Sequence, residues 1–474
     1  MFISCSKDKS VVDKYLFELL PPSLTGIDFE NNLYPTEEFN MYIFRSFYNG
    51  GGVAIGDVNN NGLPDIFFAG NMVSNRLYLN RGDFQFEDVT EKAGLLSEGV
   101  WSSGVSFADV NGNGLLDIYI TKSGSPDGNR RHNELFINMG VSGNEGAEFP
   151  VFEEKSAEYG LDVTGLSTHA VFFDYDGDGD LDMYLLNNSF HPVGGYDNIT
   201  GETRRVPDPM GGSKLFRNDG EYFTNVTDEA GIYSSHIAFG LSVSVADLNR
   251  NGWPDIYVAN DFFERDYLYL NNKDGTFREV LEKKIQSISS SSMGSDIADL
   301  TNNGWPDIYV SDMLPNSEER VKSKMSYETY DQYSTNIDRG FYHQVTRNTL
   351  QLNNGDGTFS EAGRLTGTEA TDWSWAVLIA DYDNNGHNDI YVVNGIYKDL
   401  LDQDYLTYTS DPSRVTDIIE TSPKNVIMTL MDIIPSEPVG NVVFSGEGEL
   451  KFTDRSIEWG LGTPGFSSGA AWGD

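Results

Sequence analysis

Six short segments of the chain share an oxygen-rich pattern, Asp-x-(Asp/Asn)-x-(Asp/Asn)-Gly-x-x-Asp, with one threonine at the third position. The first copy runs through Asp57, Asn59, Asn61, Leu63 and Asp65, the second through Asp109, Asn111, Asn113, Leu115 and Asp117. The third is the most acidic, with Asp174, Asp176, Asp178, Asp180 and Asp182. The fourth has Asp247, Asn249, Asn251, Trp253 and Asp255, and the fifth Asp299, Thr301, Asn303, Trp305 and Asp307. The sixth has Asp381, Asp383, Asn385, His387 and Asp389. Side-chain oxygens at positions 1, 3, 5 and 9 converge if Gly at position 6 takes a sharp turn, and position 7 adds its backbone carbonyl. Such hard oxygen donors, without Cys or an imidazole ligand, select Ca²⁺ over zinc or copper. The loop is not an EF-hand, which is longer, ends in Glu and lies between helices. Up to six Ca²⁺ sites are expected, the third the tightest because ligand charge tunes affinity. The competing reading is a set of plain Asx turns; the sixfold recurrence favours metal.

The elements that carry these loops recur with them. The first Asp residues are spaced by 52, 65, 73, 52, 82 and 93 residues, the last interval ending at Asp474. An apolar strand enters each loop and a second leaves it. A Leu-x-Leu-Asn strand follows (Leu77 to Asn80, Leu268 to Asn271, Leu350 to Asn353), then an Asp-Gly or Gly-Asp turn and a Phe-containing strand. Asp-Gly and Asn-Gly between alternating apolar residues are hairpin signals. Four short strands per repeat of 50 or more residues predict an all-β fold, a β-propeller of four-stranded blades. Phe466 to Asp474 opens a seventh copy, so seven blades are expected, truncated at the C-terminus of a fragment. The propeller is assigned to residues 45–474. Residues 1–44 are read as a lipoprotein-like leader and a closing strand at Gly26-Ile-Asp-Phe-Glu30. Insertions at about 311–346 and 395–440 have helical spacing and should crown one face of the disc, where specific function tends to reside.

Composition narrows the partners. Asp and Glu number 73 against 32 Lys and Arg, a formal net charge of −41. That excludes nucleic acid, whose phosphates need a basic patch, and docking on an anionic membrane surface. Aromatic residues make up 13% of the chain, more than a disordered acidic chain carries. The one cysteine, Cys5, rules out an intrachain disulfide. Ile3-Ser4-Cys5 looks like the end of a lipoprotein signal, and lipidation at Cys5 is the one route to a membrane that the sequence offers. Extracellular Ca²⁺ modules bind with Kd of about 10⁻⁴–10⁻³ M. Sites that weak would stay empty at cytosolic calcium levels, which points to an exported protein.

At this level the chain resembles the FG-GAP (VCBS) repeats that form integrin α-subunit propellers. Phe47-Tyr-Asn-Gly-Gly-Gly-Val-Ala-Ile-Gly-Asp57, Arg347-Asn-Thr-Leu-Gln-Leu-Asn-Asn-Gly-Asp-Gly-Thr-Phe359 and Asp372-Trp-Ser-Trp375 resemble the bacterial group that joins such a propeller to an ASPIC/UnbV domain. The ASPIC/UnbV domain itself is absent from this chain. The resemblance covers about residues 45–474 and implies loop calcium and export to the cell surface. It implies no defined activity.

Other residues invite function and are weighed against simpler roles. Arg81-Gly82-Asp83 reads first as a hairpin turn of the repeat. His169 and His236 precede their loops without a nucleophile motif beside them, which favours structural roles. Trp253 and Trp305 recur at position 7 and are expected to pack between blades. Two functional classes stand. One is a non-catalytic binding or adhesion module for glycans or proteins. The other is a polysaccharide lyase or hydrolase, whose cationic groups would come from Lys322, Lys324, Arg339, His343 and Arg347. Their convergence in one cleft would favour the enzyme, and their scatter the binding module.

Overall fold

The computed structural model describes residues 15–97, 101–124, 131–144, 148–190, 201–325 and 329–473. Cys5 lies outside them. Strand pairs of the repeat close into six four-stranded antiparallel sheets, each in simple up-and-down order. In the first blade these strands are Val53–Gly56, Asp65–Phe68, Arg76–Asn80 and Phe86–Asp88. In the sixth they are Ser374–Ala380, Asp389–Asn394, Val442–Gly446 and Phe452–Asp454.

Side chains alternate across each sheet, and both faces are covered by the neighbouring blades. The second strand of the second blade shows the consequence. Ile118 and Ile120 pack with Phe67, Leu77 and Leu79 of the first blade, while Tyr119 packs with Met183 and Leu185 of the third. The core is therefore a series of five apolar layers between successive blades. Tyr119, Tyr184, Tyr257 and Tyr309 occupy the same place in four second strands and are fully buried. Where such a hydroxyl is buried it needs a partner. Tyr119 receives a bond from Asn133 (3.0 Å), Tyr309 from Asn348 (3.0 Å), and Tyr257 donates to Asp266 (2.6 Å).

The expected count of seven blades is corrected to six. The copy that opens at Phe466 forms no four-stranded sheet among the described residues. Residues 466–473 instead run between the sixth and first blades. Ser467 N–H donates to the Asn394 carbonyl (2.9 Å), Trp472 meets Tyr382 edge-on, and Gly473 sits against Ile55. The N-terminal segment crosses the same place. Phe17 N–H donates to the Trp459 carbonyl (2.9 Å), and Phe29 stacks on Phe68 (5.0 Å). The expected edge strand at Gly26–Glu30 forms no ladder; its Asp28 accepts a bond from the Tyr78 hydroxyl (2.9 Å) instead.

Helices are few and short. The two predicted inserts do contain them: Glu318–Lys324 and Tyr330–Asp338 in the first, Gln403–Thr409, Pro412–Thr421 and Val426–Ile433 in the second. Both inserts join a second strand to a third. Antiparallel order puts them at the end of the disc opposite the Asp loops, which join first strands to second. No helix among the described residues is long and apolar enough to cross a membrane.

Candidate metal centres

Each Asp loop is built by two carboxylates with different tasks. The position 1 carboxylate accepts backbone N–H groups from inside the loop. Asp57 takes those of Asn61 (3.0 Å) and Gly62 (2.6 Å), and Asp381 those of Asn385 (2.9 Å) and Gly386 (2.8 Å). Asp109, Asp247 and Asp299 do the same, and Asp174 takes Gly177 and Gly179. The position 9 Asp opens the second strand and is buried. One oxygen accepts from position 2 of its own loop (2.8–3.1 Å). The other accepts a backbone N–H of the third strand (2.8–2.9 Å), from its last residue in every blade but the second, where Asn138 lies inside the strand.

The turn needs left-handed backbone at position 6, and Gly supplies it in all six loops, with φ of 83–96°. Position 4 is left-handed too. It holds Asn60, Gly112, Gly177, Arg250, Asn302 and Asn384. The Asn and Gly at five of the six were the available signal, since Asn tolerates this conformation best after Gly.

Three acidic oxygens come within 4.8 Å of one another in two loops, at Asp174, Asp176 and Asp182 and at Asp381, Asp383 and Asp389. These are positions 1, 3 and 9 of the expected donor set, and a hard cation fits them. Position 5 is engaged otherwise: Asn61, Asn113, Asp178, Asn251, Asn303 and Asn385 each accept the N–H of position 7. The side chains of Leu63, Leu115, Asp180, Trp253, Trp305 and His387 take no part in those bonds. In the remaining four loops Asn59, Asn111, Asn249 and Thr301 stand at position 3. Asn249 donates to Asp255 (2.9 Å) and Thr301 to Asp299 (3.4 Å). Burial pushes the position 9 carboxyls up, to about 6 for Asp65, Asp117, Asp307 and Asp389 and about 7 for Asp182 and Asp255.

A feature the loop pattern alone did not disclose joins the loops to one another. In the second to fifth blades an Asn of the third strand donates its amide across to the loop of the preceding blade, whereas Asn80 of the first blade reaches the Pro64 carbonyl of its own (3.1 Å). Asn138 reaches the Val58 carbonyl (2.8 Å), Asn218 that of Val110 (2.9 Å), Asn271 that of Tyr175 (2.8 Å) and Asn353 that of Leu248 (2.8 Å). The sixth blade has Gly446 at that place, and Asn388 bonds the Asp299 carbonyl instead (2.9 Å). The position 7 side chains extend the same contacts. Trp253 lies against Gly177, Arg250 stacks over Trp305, and His387 meets Asn302 (3.0 Å).

The other singled-out residues take structural places. Arg81 pairs with Glu87 (2.7 Å) and bonds the Glu148 carbonyl (3.1 Å), and Gly82 makes the hairpin turn with φ 89°. His169 lines the central channel, where burial pushes its imidazole down to about 4 and so keeps it neutral. The five cationic candidates scatter. Lys322 pairs with Glu318 on an exposed face, Lys324 with Asp402 (2.8 Å), and Arg347 with Glu361 (2.7 Å) in the fifth blade. His343 bonds Tyr333 (2.9 Å), and Arg339 faces a different cavity.

Arg320, missed in sequence, locks the two inserts together. It binds Asp372 (2.6 Å), Asp399 (3.2 Å) and Glu437 (2.7 Å). Asp372 and Asp399 are buried, so removing the guanidinium leaves Asp372 without a cation and Asp399 with only Lys324 (3.5 Å). Arg320→Met is expected to cost about 3–5 kcal/mol, read by urea unfolding, with the loss shrinking in acid as these carboxylates take up protons. Beside this lock, at the insert end of the disc, lies a cavity of about 1280 Å³.

A family model described as FG-GAP-like repeat matches residues 37–120, 247–310 and 338–392. These three segments, under half of the chain, read as FG-GAP-like repeats. Integrin alpha-6 of Homo sapiens is 34% identical over 97 residues, which cover 18% of this chain and 8% of the integrin. Cartilage acidic protein 1 of Xenopus tropicalis is 26% identical over 144 residues, 30% of this chain and 20% of that protein. The chain thus spans only a small part of the length of these curated relatives. Among solved structures, an Agrocybe aegerita lectin that recognises non-reducing terminal N-acetylglucosamine aligns with 85% of this chain and 78% of its own, at TM-score 0.42 and 17% identity. The matched segments are similar to FG-GAP-like repeats and, over a short stretch, to an integrin alpha subunit.

Proposed function

We propose that this FG-GAP propeller is a calcium-stabilised, non-catalytic module that binds a glycan or protein at the cell surface. The observation that carries the reading is the division of the disc into two chemically different ends. One end gathers the acid loops, whose position 1, 3 and 9 oxygens would hold Ca²⁺ and fix the blades. The other gathers the inserts around a large aromatic-lined cavity. A rigid scaffold that presents inserted loops at one end is a common way to build a recognition surface. The scatter of Lys322, Lys324, Arg339, His343 and Arg347 favours binding over a lyase or hydrolase. Membership of the ASPIC/UnbV-associated bacterial group, export, and attachment through a lipidated Cys5 complete the proposal.

The test is a glycan array probed with labelled protein in millimolar Ca²⁺ and in EDTA, with the chain length of any bound polysaccharide followed over time. Calcium-dependent retention on unshortened polysaccharide is expected. Progressive shortening would replace the binding module with the enzyme.

A further inference from the structure

The cavity at the insert end has a charge opposite to that of the molecule around it. In a chain of net charge −41, three arginines, Arg45, Arg131 and Arg339, line it, against the carboxylates Asp261 and Asp331. Burial pushes the Asp261 carboxyl up to about 7, so near neutrality it contributes less than a full negative charge. Arg45 stacks on Phe239 and Phe262 (5.5 and 4.9 Å to the ring centroids) and Arg131 on Phe190 (5.3 Å). Stacking engages the faces of the guanidinium groups and turns their in-plane N–H edges toward polar partners, Asp261 beside Arg45 among them. Arg339 ends the helix Tyr330–Asp338 and has no ion pair among the described residues.

The remainder of the wall suits a ring rich in hydroxyls. Neutral polar residues such as Asn49, Gln332, Thr335 and Gln344 share the lining with Phe262 and Trp373. Trp373 lines the cavity beside Trp375, with 6.4 Å between their ring centroids. The volume, about 1280 Å³, exceeds the roughly 300–1,000 Å³ of ordinary small-molecule pockets. It calls for a ligand of several rings.

We propose that this cavity binds an acidic oligosaccharide, with uronate carboxylates on Arg45, Arg131 and Arg339 and sugar faces over Phe262 and Trp373. The inference rests on the binding-module reading and specifies its site and ligand class. An acidic peptide would satisfy the arginines but would offer no flat sugar ring to Phe262 and Trp373.

The test is titration of the whole chain in millimolar Ca²⁺, followed by tryptophan fluorescence and calorimetry. The probes are a β-1,4-linked glucuronic acid tetrasaccharide, cellotetraose of the same length, and a tetraglutamate peptide. Arg339→Gln and Trp373→Phe are compared with the parent, their thermal midpoints serving as the folding control. The expected result is saturable binding of the uronate, weakened about tenfold in Arg339→Gln, with cellotetraose weaker by at least a similar factor. Equal binding of cellotetraose would overturn the charge argument while leaving a glycan-binding module. Uronate binding that neither variant alters would overturn the site. Tetraglutamate binding as tightly as the uronate would overturn the ligand class. Absence of binding by all three would overturn the inference, whereas the glycan array tests the broader reading independently.

Discussion

Millimolar Ca²⁺ is expected to raise the unfolding midpoint of the EDTA-treated protein by about 2–8 °C. Each loop with Kd of about 10⁻⁴–10⁻³ M would contribute about 0.4–1.4 kcal/mol at that concentration, and six loops act on one disc. Mg²⁺ should do little, because the loops offer a full oxygen set to an ion that prefers to keep its water. The effect should depend on pH with a definite sign. The buried position 9 carboxyls titrate at about 6 in Asp65, Asp117, Asp307 and Asp389 and at about 7 in Asp182 and Asp255, above the value of an unfolded Asp. The metal-free fold therefore binds protons more tightly than the unfolded chain. That stabilisation is complete below about pH 4 and is lost as pH rises through 6 to 7. Calcium must displace those protons, so its own stabilisation grows across the same interval. The metal-free midpoint should fall between pH 5 and pH 8, and the gap between calcium and EDTA should widen. Scanning calorimetry across that range decides the matter. A gap that ignores pH, or an equal response to Mg²⁺, would return the loops to plain Asx turns.

Much of this architecture was legible because the repeat states its grammar six times. The loop, the four strands and the hairpin turns follow from local spacing, and the insert helices from helical periodicity. Contacts between segments far apart in sequence were not legible. Arg320 reads as one charge on a short helix; its meaning comes from Asp372, Asp399 and Glu437, which lie 52 to 117 residues further on. The cavity draws Arg45, Arg131 and Arg339 from three unrelated connections. The blade count erred for a related reason. Phe466 to Asp474 has the sequence of a first strand, but a blade exists only where partner strands complete its ladder. Left-handed position 4 was half visible. Five Asn or Gly residues mark it, and Arg250 adopts the conformation without any local hint.

The interblade asparagines carry the second large effect. Asn218 donates to the Val110 carbonyl of the preceding blade (2.9 Å) and to the Leu181 carbonyl of its own (3.2 Å), and it accepts the Gly220 N–H (3.0 Å). The side chain is buried, so Asn218→Ala leaves two carbonyls with fewer donors where water reaches poorly. The expected loss is about 2–5 kcal/mol by urea unfolding. Asn218→Asp should be worse still. The carboxylate supplies no donor, faces two carbonyl oxygens and lies close to Asp182, whose oxygen already accepts the Asn218 N–H (2.8 Å). Its penalty should diminish in acid, when a protonated carboxyl can donate again. Asn388→Ala in the sixth blade removes one interblade bond and should cost less than Asn218→Ala. Asn272→Ala, in an exposed hairpin turn where the amide reaches only Thr276 (3.0 Å), should cost little. That graded order tests whether polar bonds at the loop end add to the apolar layers in holding blade to blade. If Asn218→Ala behaved like Asn272→Ala, the layers alone would suffice. Asn218 would then serve only to end its strand.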